Sequence, residues 1–184
     1  MILPIYAYGQ PILKKKASSI GKDYEGLEEI IINMWDTMYH AQGVGLAAPQ
    51  IGQSIRLFLV DTVQVMEEGK ESEGIKRVFI NAEKTGEDGN LWTYEEGCLS
   101  IPNIRGDVER KEVFKLKYFD EDFNEHIEVF KGINARVIQH EYDHIEGKLF
   151  TEKLKPLKKK LIKRKLDAIR KGNIKADYRL KFSM

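Results

Sequence analysis

His140-Glu141-Tyr142-Asp143-His144 is the stretch of this chain with the most chemistry in it. A helix turns about 100° per residue, so side chains at i and i+4 stand one above the other on the same face. His140 and His144 can therefore hold one metal ion between them, and Glu141 is placed to touch a water on that ion. Two imidazoles, one carboxylate and one water are the parts of a metallohydrolase. A third protein ligand is required, and its identity separates one such hydrolase from another.

Histidine alone does not supply it. The chain has four, and the other two are His40 and His126. His126 lies in a strand-like run with acidic neighbours and reads as a surface residue; His40 lies near a helix end, where positive charge is welcome. Cys98 is the only cysteine, within Glu95-Glu96-Gly97-Cys98-Leu99-Ser100. A lone cysteine is commonly a small buried hydrophobe. Beside an H-E-x-x-H helix it reads instead as a soft ligand for Zn²⁺ or Fe²⁺, and Gly97 before it lets another backbone come close. Cys98, His140 and His144 would leave a fourth tetrahedral position for water. Glu146 and Glu152 follow His144, so an H-E-x-x-H zinc endopeptidase with a downstream carboxylate ligand stays open.

Residues 43–52, Gly-Val-Gly-Leu-Ala-Ala-Pro-Gln-Ile-Gly, interrupt the pattern with three glycines. No Gly-Lys-Ser/Thr follows, which argues against a phosphate cradle. The alternative is a loop whose backbone approaches something closely, with the Gln50 amide as an oxyanion donor.

These groups need elements to hold them. Leu27, Ile30, Ile31, Met34, Trp35 and Met38 recur at steps of three and four, predicting a helix over residues 24–41 with Asp23 as its cap. Residues 1–23 read as irregular. Strands are expected at 55–61, 77–81, 113–119 and 126–130, a turn at 86–90, a hairpin connection after Phe119 and an exposed loop at 64–76. The motif helix is expected at 132–146, with Gly147 as its stop. A last helix is expected at 156–171, Pro156 in its first turn, with Leu157, Leu161, Ile162, Leu166 and Ile169 as one apolar stripe. Strands, then a central helix, then a late helix imply an α+β fold.

The chain has 184 residues, 42% hydrophobic and 32% charged, which fits one domain with a real core. No apolar run long enough for a membrane span is present, no basic leader opens the chain, and a single cysteine forms no internal disulfide; a cytoplasmic protein is expected. Residues 153–181 hold 13 Lys and Arg against 2 Asp, whereas the rest holds 17 basic and 27 acidic residues. A basic tail on an acidic body reads either as a polyanion contact or as a solvated surface helix, and alone it would fit a nucleic-acid-binding module.

Three segments together resemble the peptide deformylase family: Gly43 through Gln50 as G-x-G-L-A-A-x-Q, Glu96 through Ser100 as E-G-C-L-S, and Gln139 through His144 as Q-H-E-x-D-H. Their order and separations suit the family over most of residues 1–171. The resemblance implies antiparallel β-sheets packed around a central H-E-x-x-H helix, with an N-terminal and a C-terminal helix. It implies one catalytic domain over 1–172, including a basic helix at 156–171, followed by a tail at 173–184.

The resemblance also implies removal of the formyl group from N-formylmethionine on nascent polypeptides, releasing formate. Cys98, His140 and His144 would hold one divalent metal, with Fe²⁺ native and Zn²⁺, Ni²⁺ or Co²⁺ accepted. A metal-activated water would attack the formyl carbon, Glu141 acting as base and then acid, while Gln50 and the Leu99 N–H hold the oxyanion. Val44, Tyr94, Glu96, Ile133, Val137 and His140 would surround the methionine side chain, Glu96 through its stem or a hydrogen bond. Arg105, with the backbone at Gly43, Gly45 and Gly97, would hold the extended peptide. The basic helix would dock on the ribosome near the nascent-chain exit; neither a membrane nor DNA is an expected partner.

Overall fold

The computed structural model describes residues 1–183. In chain order the elements are β1 (Ile5–Tyr6), α1 (Leu27–His40), β2 (Gly45–Ala47), β3 (Leu57–Asp61), β4 (Lys76–Cys98), β5 (Ile101–Phe119), β6 (Glu125–Lys131), α2 (Gly132–Ile145), α3 (Pro156–Arg170) and β7 (Leu180–Lys181). Short 3₁₀ turns link several of them. The five strands β2 to β6 form one sheet in sequential order, antiparallel throughout.

Every residue of β3 is buried, and its period of two splits them between the sheet's faces. Phe58 and Val60 join Phe79, Phe114, Phe130 and the α2 residues Ala135, Val137 and Ile138 on one side. Leu57 and Leu59 join Leu27, Ile31, Met34 and Met38 of α1 on the other. The motif helix is thus pressed into the sheet as expected, and nine of its residues are buried, charged ones included. A third cluster joins Leu13, Ile101, Val108, Phe150, Leu154, Ile162 and Ile169, and so fastens α3 to β5 and to the start of the chain.

Three local expectations are corrected. The helix expected from residue 24 begins at Leu27, capped by Gly26 at φ 74° and not by Asp23, because the chain turns left-handed at Gly26. The turn expected at 86–90 does not reverse the chain. β4 runs through it, and Gly89 (φ 78°) and Asn90 sit in a bulge between Asp88 and Leu91. Turn-forming residues here relieve a long, strongly twisted hairpin. The stripe on α3 is really two: Ile162 and Ile169 are buried, but Leu157 and Leu161 are 70% and 68% exposed. Leu161 and Ile162 are adjacent and so point about 100° apart, which lets Ile162 enter the core while Leu161 faces solvent.

The sheets are not all antiparallel. β1 and β7 pair in parallel, Ile5 beside Leu180 and Tyr6 beside Lys181. A parallel pair needs a crossover, here almost the whole chain, and no local turn signal announces it. The segment beyond residue 172 therefore folds back over the body. Its backbone accepts from the Ile5 and Ala7 N–H groups, and the Gln10 amide donates to Phe182 O at 2.7 Å.

Candidate metal centre

Cys98 closes β4 and is followed by the two-residue loop Leu99-Ser100, after which β5 begins. A register shift between Gly97 and Cys98 turns the thiol toward α2. His140 and His144 reach it from that helix. One donor atom from each of Cys98, His140 and His144 lies within 4.8 Å of the other two. Cys98 Sγ and His144 Nε2 are 3.4 Å apart. Tetrahedral bonds of ~2.3 Å to sulfur and ~2.1 Å to nitrogen set such atoms about 3.6 Å apart, so a single Zn²⁺-sized cation fits between them. No other such cluster occurs among the described residues. Glu146 is paired with Arg56 and Lys16, and Glu152 with Lys14 and the Leu149 N–H, so neither serves as the alternative ligand.

The histidines are aimed by a buried ionic network. His140 Nδ1 lies 3.0 Å from Glu96 Oε2, which leaves Nε2 to face the ligand cluster. Glu96 also accepts two bonds from Arg110, at 2.6 and 3.0 Å, and one from Arg136 at 3.0 Å. Arg110 reaches on to Asp143 at 2.7 Å. Arg136 donates to the Trp92 and Val108 carbonyls and lies over the Trp92 ring. Burial alone would raise the Glu96 carboxyl; the His140 and Arg110 hydrogen bonds outweigh it and hold the group well below the usual carboxylate range. Glu96 was expected to meet the methionine pocket through its stem or a hydrogen bond, and it does line the cleft; its carboxylate is engaged in orienting His140, the outer support that metal-bound imidazoles commonly need.

Glu141 is 4% exposed, and its Oε2 has no hydrogen-bond partner. Burial pushes its carboxyl up to about 7. It lies against Gly45, where an added Cβ would stand 2.4 Å from Oε1. Only a glycine leaves room for the carboxylate there. Gln50 is buried in the 3₁₀ turn Ala48–Ile51; its Oε1 accepts from the Ala47 N–H, and its Nε2 points to Cys98 Sγ at 3.5 Å and Ser100 Oγ at 3.1 Å. The amide is thereby fixed with its donor end beside the ligand cluster.

A cleft of about 700 Å³ opens over this group. Gly43, Val44, Gly45, Gln50, Tyr94, Glu96, Gly97, Cys98, Leu99, Arg105, Ile133, Val137, His140 and Glu141 all line it, while His144 lies buried behind. Arg105 sits at the rim, tied to Glu95 at 2.9 Å. Residues 175–178 and Val65 also form its walls, and both lie in stretches the sequence left unread. The alternation Ile174, Ala176, Tyr178, Leu180, Phe182 with a charged residue between each pair was the available signal for a half-buried extended segment. Nothing local marked Arg110 or Arg136, and Asp143 was marked only as a fixed position of the Q-H-E-x-D-H segment, because their partners are distant in sequence.

An α+β domain whose H-E-x-x-H helix meets a cysteine from a β-hairpin, with a buried carboxylate beside them, is a metal-dependent hydrolase. Residues 2–160 match the family model described as "Polypeptide deformylase". The chain belongs to that family. It is 52% identical to the peptide deformylase of Christiangramia forsetii over 99% of this chain and 96% of the relative. It is 50% identical to that of Cytophaga hutchinsonii over 99% and 98%. Among solved structures, peptide deformylase from Thermus thermophilus superposes with a TM-score of 0.82 at 35% identity, covering 94% and 99% of the two chains. That from Plasmodium falciparum gives 0.82 at 32% identity, covering 91% and 95%.

Proposed function

We propose that this chain hydrolyses the formamide at the start of N-formylmethionyl polypeptides, giving formate and a free amine. The observation that carries this reading is the convergence of Cys98, His140 and His144 within 4.8 Å, beside a buried carboxylate oxygen with no partner. Cys98, His140 and His144 would hold one divalent cation, Fe²⁺ as the resident ion with Zn²⁺, Ni²⁺ or Co²⁺ as substitutes; thiolate with imidazole suits such metals. When bound, such a cation would supply Lewis acidity and would lower the pKa of a water toward neutrality.

Glu141 takes a proton from the attacking water. Gln50 Nε2 and the Leu99 N–H hold the oxygen that becomes negative, a type of contact worth about 2.7–4 kcal/mol of barrier. Glu141 then delivers its proton to the amine nitrogen as the C–N bond breaks, and formate leaves. Val44, Tyr94, Ile133 and Val137 supply the apolar walls for the methionine side chain. Gly43, Gly45 and Gly97 offer backbone to an extended peptide, with Arg105 at the rim. Affinity from main-chain pairing leaves the residues after methionine weakly selected. The exposed lysines of α3 support a contact with ribosomal RNA, and a cytoplasmic setting, where formylated chains emerge, belongs to the same reading.

The test is formate release from formyl-Met-Ala-Ser by metal-loaded protein, with Glu141→Ala alongside. The wild type should turn over, and the variant should lose turnover while keeping its metal. A metal-loaded wild type that releases no formate overturns the reading. Turnover by Glu141→Ala at the wild-type rate removes Glu141 from its role.

A further inference from the structure

The loop between Cys98 and Ile101 is gripped from three sides. Gln50 donates to Cys98 Sγ and Ser100 Oγ. The Tyr8 N–H donates to Ser100 O at 2.8 Å. The third hold comes from the far end of the chain, where the Tyr178 hydroxyl donates to Leu99 O at 2.7 Å. Without it, the middle of the loop keeps only a side-chain contact, Leu99 lying close against Gly43. The Leu99 N–H finds no acceptor among the described residues. It is a free donor on a residue whose one polar restraint from outside the loop is the Tyr178 phenol, the other holds falling on Cys98 and Ser100.

The phenol is itself well anchored. Two residues further on, β7 pairs with β1, and Gln10 ties down the carbonyls of Lys181 and Phe182. On the other side the Asn103 amide donates to Lys175 O at 3.4 Å. Ile174, Leu180 and Phe182 pack into the third core cluster. The ring is half-buried at the cleft wall, so its hydroxyl cannot swing freely to water.

We propose that Tyr178 is a positioning residue for the hydrolysis: by holding the Leu99 carbonyl it sets the direction of the Leu99 N–H that meets the oxyanion. The inference rests on the reading above, in which that N–H is a donor. The two peptide planes share the Leu99 Cα, so a carbonyl fixed at 2.7 Å restrains the neighbouring plane. A donor works only within about 2.7–3.1 Å of the oxygen, and a drift of ~0.5 Å in the loop takes it out of range.

Tyr178→Phe removes the hydroxyl and keeps the ring. Deleting an oxyanion donor outright lowers kcat by about 10²–10³, so misaiming one should lower it by roughly tenfold. KM for formyl-Met-Ala-Ser should change less than twofold, with thermal midpoint and metal content as in the wild type. The same factor should appear when the residue after methionine is changed to Lys or Glu, since the effect lies at the reacting carbonyl. An unchanged kcat overturns the inference. So does a loss confined to KM that varies with the second residue, which would make the tail a substrate-reading wall, or a loss that tracks lowered stability or metal content. A wild type without formate release sinks the functional reading instead, so the two failures are told apart.

Discussion

Glu96→Gln keeps the shape of a side chain shared by two arginines and a histidine and removes its charge. The pairs it breaks are buried: Arg110 and Glu96 side chains are 5% and 4% exposed, and Arg136 is 2% exposed. Removing one partner of a buried ion pair costs about 3–5 kcal/mol, because a desolvated charge is left behind. Here the remaining partners soften the loss. Arg110 keeps Asp143 at 2.7 Å, and Arg136 keeps the carbonyls of Val108 and Trp92. The lower end, about 3 kcal/mol, is therefore expected. Against a typical total stability of ~5–15 kcal/mol this is a large share. At ~2–4 °C per kcal/mol for a chain of this size, the melting point should fall by about 6–12 °C. Urea unfolding of metal-free protein measures this part alone. A second effect is separable from it. Glu96 also orients His140, and loss of such an outer partner commonly weakens metal binding by about 10–100-fold. Competition with a chromophoric chelator reads that affinity. A variant whose metal-free stability lies within ~0.5 kcal/mol of wild type, or whose metal affinity is unchanged, would refute the account of this network.

Gly45→Ala should place a methyl 2.4 Å from Glu141 Oε1 and displace the carboxylate. A general base contributes about 10²–10⁴-fold, so kcat should drop by at least ~10² while circular dichroism and metal content stay normal; retained activity would show that Glu141 has room to spare. Replacing Lys159, Lys160 and Lys163 together by Gln removes three exposed charges from α3 that make no ion pair among the described residues. Activity on short formyl-peptides should persist, and ribosome cosedimentation should weaken with a salt slope shallower by about 2–3, at roughly 0.7–0.9 per charge. Undiminished cosedimentation would make the helix only a solvated surface. Deletion of α3 is the poorer experiment, because Ile162 and Ile169 belong to the core.

The parts of this protein most legible in its sequence were those where chemistry leaves little choice of residue. Two imidazoles four apart and one thiol pointed to the ligand set, with a carboxylate adjacent, and the structure brings the three ligands' donor atoms together although Cys98 and His140 are 42 positions apart. Helix periodicity located α1, α2 and α3 within a few residues, since each must present an apolar face. Where one residue type serves two purposes the reading failed. Gly89 and Asn90 carry turn chemistry, yet they relieve a bulge inside a strand. Leu157 and Leu161 look like core residues, but the helix turns them to solvent.

The amino-acid order by itself determined which groups could bind a metal and move a proton, because those abilities belong to single side chains and their near neighbours. Tertiary structure alone decided how they are held. Glu96 became the support of His140 through Arg110 and Arg136, and Tyr178 reached Leu99 from 79 residues away. Such contacts depend on which distant segments the fold brings within about 3 Å, the range of a hydrogen bond, and no local pattern encodes that.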